Sequence, residues 1–195
     1  MKLLEDVILK EGIVLGNDVL KVDSFLNHQI DTLLMNEIGK EFAHRFKDSK
    51  ITKILTVETS GIAPAVFAGF SLSVPVLFAK KSKSVILDEG LYEANIYSYT
   101  KMKYYTISIS KKYLTKDDSV LIIDDFLANG QAVRGLCEII KSAGAKIVGA
   151  GIVIEKGFQG GGKSIRNEGI RVESLAIVDK MSEKKILFKK EEDKK

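Results

Sequence analysis

The sequence predicts an α/β fold with a mostly parallel central sheet and helices on both of its faces. Short apolar runs without alternation, such as residues 120–123, are typical of strands that are covered on both faces. Segments with the apolar spacing of helices alternate with these runs, as they do in sheets built from βαβ units. Glycine loops follow several predicted strands, at the sheet edge where open α/β folds bind their ligands.

Composition limits the classes of function. A chain of 195 residues suits a single domain, and we divide it into a small hood with the first helices (1–50), a core (51–180) and a charged tail (189–195). The net charge is only +4, and residues of both charges are interspersed along the chain, so we expect no nucleic-acid partner. The single cysteine, Cys137, lies on an apolar helix face and is predicted to be a small buried hydrophobe. We see neither a signal peptide nor an apolar run long enough to span a bilayer, which predicts a cytoplasmic protein without a membrane partner.

The first fifty residues predict a small helical region. Residues 2–11 form a short helix that ends near Gly12, and residues 14–22 form a turn. Asp31 can cap the next helix with its side chain. That helix buries one stripe of apolar residues at every fourth position, namely Leu34, Ile38, Phe42 and Phe46.

Two buried strands follow, and each delivers polar residues at its end. Residues 54–57 form the first strand, and a glycine loop then opens a helix over residues 62–72. Residues 74–79 form the second strand. The polar residues after the two strands are Glu58, Thr59, Ser60 and Gly61 and then Lys80 and Lys81. Without further context, these segments also fit a plain βα turn and a solvated turn.

The stretch after residue 119 is the most informative. Strand 120–123 ends at Asp124 and Asp125, and Asn129-Gly130 is a turn signal before an amphipathic helix that stops at Gly144. A glycine loop at a helix start cradles phosphate with backbone N–H groups, and ribose hydroxyls can donate to the carboxylates. A ribose 5-phosphate would suit both halves, although an acidic pair can also merely end a strand and cap a turn. No G-x-G-x-x-G follows a predicted strand, so the dinucleotide-binding class is excluded.

The remaining segments predict a lid, a base-binding edge and a last strand. Residues 84–110 fit two strands around a mobile lid, or a simple β-hairpin. Residues 145–154 form a buried strand, after which Phe158 can stack on a planar base and Lys156 can donate to a ring oxygen. The alternative interpretation of this pair is a lysine on the surface and a phenylalanine in the core, without a role in binding. Glycines at 160–162 predict a loop, and residues 172–177 are predicted to be the last core strand.

Four stretches together resemble the type I phosphoribosyltransferase family. They are LKVDSFLNHQID, ETSGIAPAV, IIDDFLANGQA and IEKGFQ, in this order along the chain. The third is similar to the family's motif for 5-phosphoribosyl 1-pyrophosphate (PRPP), except that Asn129 and Ala132 stand where a hydroxyl residue is frequent. The first is the most specific and resembles bacterial members that use xanthine, with Thr32 where we expect proline.

The resemblance implies a role for each matching position. Asp124 and Asp125 would be the catalytic pair on the ribose hydroxyls. The 5-phosphate would lie on Ala128, Asn129, Gly130, Gln131 and Ala132, and the pyrophosphate on Glu58, Thr59, Ser60, Gly61, Lys80 and Lys81. Xanthine would contact Leu20, Asn27, Lys156 and Phe158, and the flexible lid would consist of Tyr97, Ser98, Tyr99, Thr100 and Lys101.

The implied reaction joins xanthine to PRPP and gives xanthosine 5′-monophosphate (XMP) and pyrophosphate. Mg²⁺ would enter with PRPP rather than on protein ligands, and the resemblance implies a homodimer. A regulator that binds PRPP without catalysis is the alternative from another class, but such regulators precede the core with a winged-helix segment, and only about fifty residues stand before the first core strand here. An enzyme that uses hypoxanthine, guanine or adenine is the other alternative.

Overall fold

The computed structural model describes residues 1–81, 90–98, 102–182 and 185–189. Its helices are α1 (Lys2–Glu11), α2 (Thr32–Arg45), α3 (Ile62–Leu72), α4 (Gln131–Ser142) and α5 (Gly161–Asn167). Its strands are β1 (Ile13–Leu15), β2 (Val19–Lys21), β3 (Lys53–Val57), β4 (Val76–Ala79), β5 (Leu91–Ser98), β6 (Lys103–Ser110), β7 (Ser119–Leu127), β8 (Lys146–Lys156), β9 (Val172–Ser182) and β10 (Lys185–Phe188).

The central sheet has six strands in the order β10-β9-β8-β7-β3-β4. All neighbours are parallel except β10, which is antiparallel to β9. One buried cluster joins α1, α2 and α3 to one face of this sheet, and a second joins α4 and the β5–β6 hairpin to the other face. The predicted α/β fold with a mostly parallel sheet between helices is therefore confirmed.

Residues 1–31 lie beside the sheet, and we call this segment the hood. It contains α1, the β1–β2 hairpin and a π-helical turn over Asp23–Asn27. The α-amino group of Met1 donates to the carbonyl of Leu175, and this bond joins the start of the hood to β9.

Several predicted elements are confirmed at their predicted bounds. Helix α1 spans Lys2–Glu11 and α3 spans Ile62–Leu72. Asp31 caps α2, since its Oδ1 accepts from the N–H groups of Leu33 and Leu34, both at 3.0 Å. The predicted stripe of α2 is buried throughout, at Leu34, Ile38, Phe42 and Phe46.

The predicted ends of the two central strands were wrong. Strand β7 continues through the acidic pair to Leu127, because the neighbouring β8 pairs with it along this length. Strand β8 also continues, through Glu155 to Lys156. The buried carboxylate of Glu155 is paired by Arg166 at 3.0 and 2.8 Å, so it does not interrupt the strand.

Two elements near the C-terminus differ from the predictions. The predicted glycine loop at 160–162 contains the start of α5. The predicted strand at residues 172–177 is found as β9, but it runs on to Ser182, and the edge strand β10 follows it. Glycine at 161 and 162 reflects close approach: a Cβ at Gly161 would lie 2.1 Å from the carbonyl oxygen of Ala128, and one at Gly162 would lie 2.0 Å from Glu155 Oε1. Residues 190–195 of the predicted tail lie outside the described residues.

Among the described residues, no helix combines the length and the apolar character that crossing a membrane requires.

Candidate active site

A cavity of about 360 Å³ opens at the carboxyl ends of β7 and β8. Its walls come from the hood, from the β5–β6 hairpin and from the segment between β7 and α4. This is the edge at which parallel sheets bind ligands. The lining residues are Asp18, Val19, Ile96, Tyr97, Tyr105, Asp124, Phe126, Leu127, Ala128, Asn129, Gly130, Gln131, Ala132, Val133, Lys156 and Gln159.

The segment 128–132, which we call the phosphate loop, lines the cavity over its whole length. Gly130 has a φ of 81°, a left-handed conformation that glycine adopts without strain. Helix α4 begins directly after Gly130, and no side chain caps its first turn. The first N–H groups of an uncapped helix and its dipole favour an anion, so this corner has the geometry of a phosphate site.

The acidic pair stands beside the phosphate loop. Asp124 lines the cavity and is only 4% exposed, and its Oδ1 accepts from the N–H of Asp125 at 3.1 Å. Burial, followed by repulsion from the Asp125 carboxylate, raises the pKa of Asp124 well above its ordinary value. The backbone N–H of Asp125 and then the positive charge of Lys81 act against this rise in the pKa. A buried acid beside an open cavity is a candidate for contact with a ligand.

The two adjacent lysines after β4 face different surroundings. Lys80 lines a separate, mostly apolar cavity between β4 and β6, and its backbone pairs with Ser108 in both directions at 3.0 Å. The Lys81 ammonium lies 5.6 Å from the ring centroid of Tyr105, which lines the cavity with Asp124. The N–H of Lys81 also donates to Glu58 Oε1 at 2.5 Å. Lys81 is therefore the lysine on the side of the acidic pair.

The loop after β3 packs tightly against the acidic pair. A Cβ at Gly61 would lie 2.3 Å from Thr56 Oγ1 and 3.0 Å from Asp124 Oδ1. The Thr56 hydroxyl is buried and has no hydrogen-bond partner in the part of the chain that the structure describes. The peptide bond between Glu58 and Thr59 is cis. The predicted pyrophosphate loop, residues 58–61, thus lies next to Asp124, although none of its residues lines the cavity.

The opposite end of the cavity has groups suited to a planar ring. The Lys156 ammonium lies 5.6 Å from the ring centroid of Phe126 and donates to the carbonyl of Asp18 in the hood at 2.6 Å. Burial lowers the pKa of Lys156, and the nearby Asp18 carboxylate acts against this effect. Gln159 completes this end of the cavity wall. An aromatic face, an ammonium donor and a carboxamide are the groups that bind a polar heterocycle.

Three predicted base contacts do not line the cavity. The Leu20 side chain is 5% exposed and packs into the core under the hood. Asn27 is exposed at the end of the π-helical turn, and Phe158 is 39% exposed in the short 3₁₀ helix after β8. Their roles in base binding stay predictions.

The predicted lid is described only in part. Strands β5 and β6 pair in antiparallel register from Leu91 to Ser110, and Tyr97 of this hairpin lines the cavity. Ser98 is the last residue of β5. The other predicted lid residues, Tyr99, Thr100 and Lys101, lie outside the described residues.

Helix α5 holds the phosphate loop from behind. The N–H of Gly161 donates to the Ala128 carbonyl at 3.1 Å. Arg134 of α4 donates to the Asn129 carbonyl at 3.0 Å, to Ser164 Oγ at 2.7 Å and to Glu168 at 2.6 Å. These contacts connect the end of α5 to the backbone of the phosphate loop and fix its shape.

The sequence reasoning missed several cavity residues. Phe126 stands two positions after Asp124, so strand alternation places both on one face, but the prediction ended the strand at Asp125. Asp18 and Val19 reach the cavity through the hood hairpin, and no local pattern marks them. Tyr105 and Ile96 come from the hairpin whose periodicity was weak. Gln159 belongs to the stretch IEKGFQ, in which only Lys156 and Phe158 were predicted to contact the base.

Comparison with known proteins identifies the relatives of this chain. Residues 21–165 match the phosphoribosyl transferase domain family. The xanthine phosphoribosyltransferase of Bacillus cytotoxicus is 59% identical over 188 residues, which cover 96% of this chain and 95% of the relative. The xanthine phosphoribosyltransferase of Listeria innocua is 60% identical over 192 residues, 98% of this chain and 100% of the relative.

Solved structures with the same fold include two adenine phosphoribosyltransferases. That of Trypanosoma brucei has a TM-score of 0.75 at 18% identity and covers 89% of this chain and 78% of its own. That of Rhodothermus marinus has a TM-score of 0.73 at 17% identity and covers 91% of this chain and 100% of its own. At this identity they support the fold alone. By its domain match and its relatives, the chain belongs to the type I phosphoribosyltransferase family, and the relatives reported above are xanthine phosphoribosyltransferases.

Proposed function

We propose that this protein transfers the 5-phosphoribosyl group from PRPP to xanthine and produces XMP and pyrophosphate for purine salvage. The relatives named xanthine phosphoribosyltransferase match almost the full chain. One structural observation carries the proposal: Asp124 and the phosphate loop line the same cavity as Lys156. The proposal takes residues 1–195 as one phosphoribosyltransferase domain.

The ribose 5-phosphate would occupy the corner between β7 and α4. Its phosphate would accept from backbone N–H groups of Ala128, Asn129, Gly130, Gln131 and Ala132. Its hydroxyls would donate to Asp124 and Asp125. Ionising a buried carboxyl group costs free energy in the free protein. The sugar hydroxyls would donate hydrogen bonds to that carboxylate, and this lowers the cost and favours binding.

The pyrophosphate would lie between the acidic pair and the loop after β3. Lys81 is on the side of the acidic pair and would contact it together with Glu58, Thr59, Ser60 and Gly61, whereas Lys80 lines the other cavity. Among the described residues, no three His, Cys, Asp or Glu side chains converge as metal ligands. Mg²⁺ is usually bound by one or two carboxylates together with the phosphate oxygens of a substrate. The acidic pair offers two carboxylates, so most oxygen ligands of a bound Mg²⁺ would come from PRPP and water. The bound ion would neutralise charge on the departing pyrophosphate.

The reaction needs positioning and charge rather than a protein nucleophile. A ring nitrogen of xanthine forms a bond to the anomeric carbon while the bond from that carbon to the pyrophosphate oxygen breaks, and the proton of that nitrogen is released to solvent or to the departing pyrophosphate. The ribosyl group carries positive charge in between, and the carboxylate of Asp124 would stabilise it. At the base end, Lys156 would donate to a ring oxygen and Phe126 would cover the ring.

The test is a product assay with each base in turn. Purified protein, MgCl₂ and PRPP are incubated with xanthine, guanine, hypoxanthine or adenine, and nucleotide formation is followed by chromatography. We expect XMP as the preferred product, with guanine as the nearest competitor. Binding of PRPP without any nucleotide product would instead assign the chain to the regulators, and preference for another base would overturn the xanthine assignment.

A homodimer is part of the proposal. The resemblance to the family implies it, and α3 carries two exposed apolar side chains one turn apart, Val66 at 49% and Phe70 at 80% exposure. Covering exposed apolar surface of this kind with a partner removes it from water and stabilises the complex. Sedimentation equilibrium of the whole chain measures the state directly.

A further inference from the structure

Gln159 has an unpaired polar atom at the base end of the cavity. Its Oε1 is shielded from solvent and accepts no hydrogen bond in the described part of the chain. Gln159 lies in the 3₁₀ helix that follows Lys156, and both side chains line the cavity together with Phe126 and Asp18. A buried acceptor without a donor costs free energy, so a ligand donor at this place would be favoured.

Besides Gln159, this end of the cavity has the solvent-exposed carboxylate of Asp18, the Lys156 ammonium and the Phe126 ring. The Lys156 ammonium can only donate, and the Phe126 ring neither donates nor accepts conventional hydrogen bonds. Ring oxygens of an oxopurine can be satisfied by such a donor, but its ring N–H groups need an acceptor. Asp18 and Gln159 carry the acceptors among the side chains at this end of the cavity. The Asp18 carboxylate is exposed to water, whereas the amide oxygen of Gln159 is shielded and has no donor in the described part of the chain, so a turn of the carboxamide toward the cavity would give it one from the ligand.

We infer that Gln159 is a specificity-determining residue that accepts the N–H at nitrogen 3 of a 2,6-dioxopurine. A purine with oxygens at carbons 2 and 6 carries N–H groups at both nitrogen 1 and nitrogen 3. A 6-oxopurine, such as hypoxanthine, carries only the one at nitrogen 1. Loss of a donor leaves the buried amide oxygen unpaired, and sites with such groups discriminate strongly against the analogue that lacks the donor.

This inference rests on the proposed function, and one experiment separates the two. The variant Gln159→Met keeps the length of the side chain and removes its polar atoms. We measure kcat/KM for xanthine and for hypoxanthine at saturating Mg-PRPP, the KM for PRPP, and the melting temperature. We expect kcat/KM for xanthine to fall by about tenfold or more, with a change below about threefold for hypoxanthine. The KM for PRPP stays near its original value.

The exposed amide of Asn167 on α5 provides a matched control, since it does not line the cavity. Asn167→Met leaves the ratio of the two kcat/KM values unchanged. If Gln159→Met also leaves this ratio unchanged while the wild-type protein makes XMP, the inference is wrong and the proposed function stands. If the wild-type protein makes no XMP, the proposed function is wrong, and the inference that rests on it falls too.

Discussion

At the residue scale, the buried carboxyl group of Asp124 costs the folded protein free energy. An ionised carboxylate that loses water and faces a second carboxylate is less stable than it is in the unfolded chain. Binding groups commonly trade stability for function in this way. The trade is measurable because the cost depends on the charge and therefore on pH.

We predict that Asp124→Asn raises the stability of the free protein and abolishes transferase activity. The pKa of Asp124 is higher in the folded state, so its ionisation opposes folding, and this penalty is fully developed above the folded-state pKa. The gain of the variant over the wild type is thus greatest above the folded-state pKa of Asp124, shrinks as pH falls below that pKa, and disappears below the ordinary pKa of an aspartate side chain. Urea unfolding of both proteins across this pH range measures it.

Asp118 provides the control of opposite sign. Burial raises its pKa, but hydrogen bonds from Thr115, Lys53 and Thr52 outweigh burial and lower the pKa below its ordinary value. Its ionised form therefore stabilises the fold above the unfolded-state pKa, and this contribution is lost as pH falls through the folded-state pKa. Asp118→Asn is expected to lose stability at neutral pH. A loss of stability in Asp124→Asn under the same conditions would contradict our account of the acidic pair.

The sequence predicted the adjacency of the acidic pair and the phosphate loop because both lie within one short stretch. It did not distinguish Asp124 from Asp125, or Lys80 from Lys81. Neighbours in an extended chain point in opposite directions, and which of the two faces a ligand depends on the register of the strand in the sheet. That register is set by long-range packing.

At the element scale, the phosphate loop owes its shape to α5, a helix of seven residues. Glycine at 161 brings the start of α5 against the Ala128 carbonyl, and Arg134 connects α4, α5 and the Asn129 carbonyl. Backbone N–H groups bind a phosphate well only when they are held in place beforehand. We therefore treat Arg134 as a positioning residue.

We predict that Arg134→Leu raises the KM for PRPP by roughly tenfold, the equivalent of losing one hydrogen bond to a charged group, ~1.5 kcal/mol. The KM for the base changes little, because Arg134 does not line the cavity. Steady-state kinetics with each substrate varied in turn measures both constants. Lys141→Leu, at an exposed position on the same helix, is the control. Equal rises in the two KM values would instead indicate a general loss of structure.

Local patterns predicted the elements whose contacts are mostly regular. Helices α1 and α3 and the capped α2 follow from apolar spacing and a cap at Asp31. Helix α5 was missed because its first two residues are glycines, which on local propensity favour a loop. Here they are needed because the phosphate loop and Glu155 lie too close for a side chain. A residue chosen for a distant contact carries no local signal.

At the scale of the whole molecule, the exposed apolar face of α3 bears on assembly. Phe70 is among the most exposed large apolar side chains in the described chain, and Val66 lies one turn away. If α3 packs on a second copy, a charge at Phe70 would be buried without a partner, which is costly.

We predict that Phe70→Glu shifts the protein from dimer to monomer, with a rise of at least tenfold in the dissociation constant of the dimer. Sedimentation equilibrium over a range of protein concentrations measures that constant. Leu9→Glu, at a half-exposed apolar position on α1, serves as the control and leaves it unchanged. A dimer as stable as that of the wild type would place the subunit interface on another surface.

The hydrogen bond from Lys156 to the Asp18 carbonyl joins the end of β8 to the hood, and both residues line the cavity. Any ligand that recruits the Lys156 ammonium must share it with this bond or replace it. Affinity for the base and the free energy of docking the N-terminal segment are therefore linked quantities, and each changes the other by an equal factor. Substitutions in α1, far from every reacting atom, should accordingly alter base affinity in proportion to how far they loosen that segment.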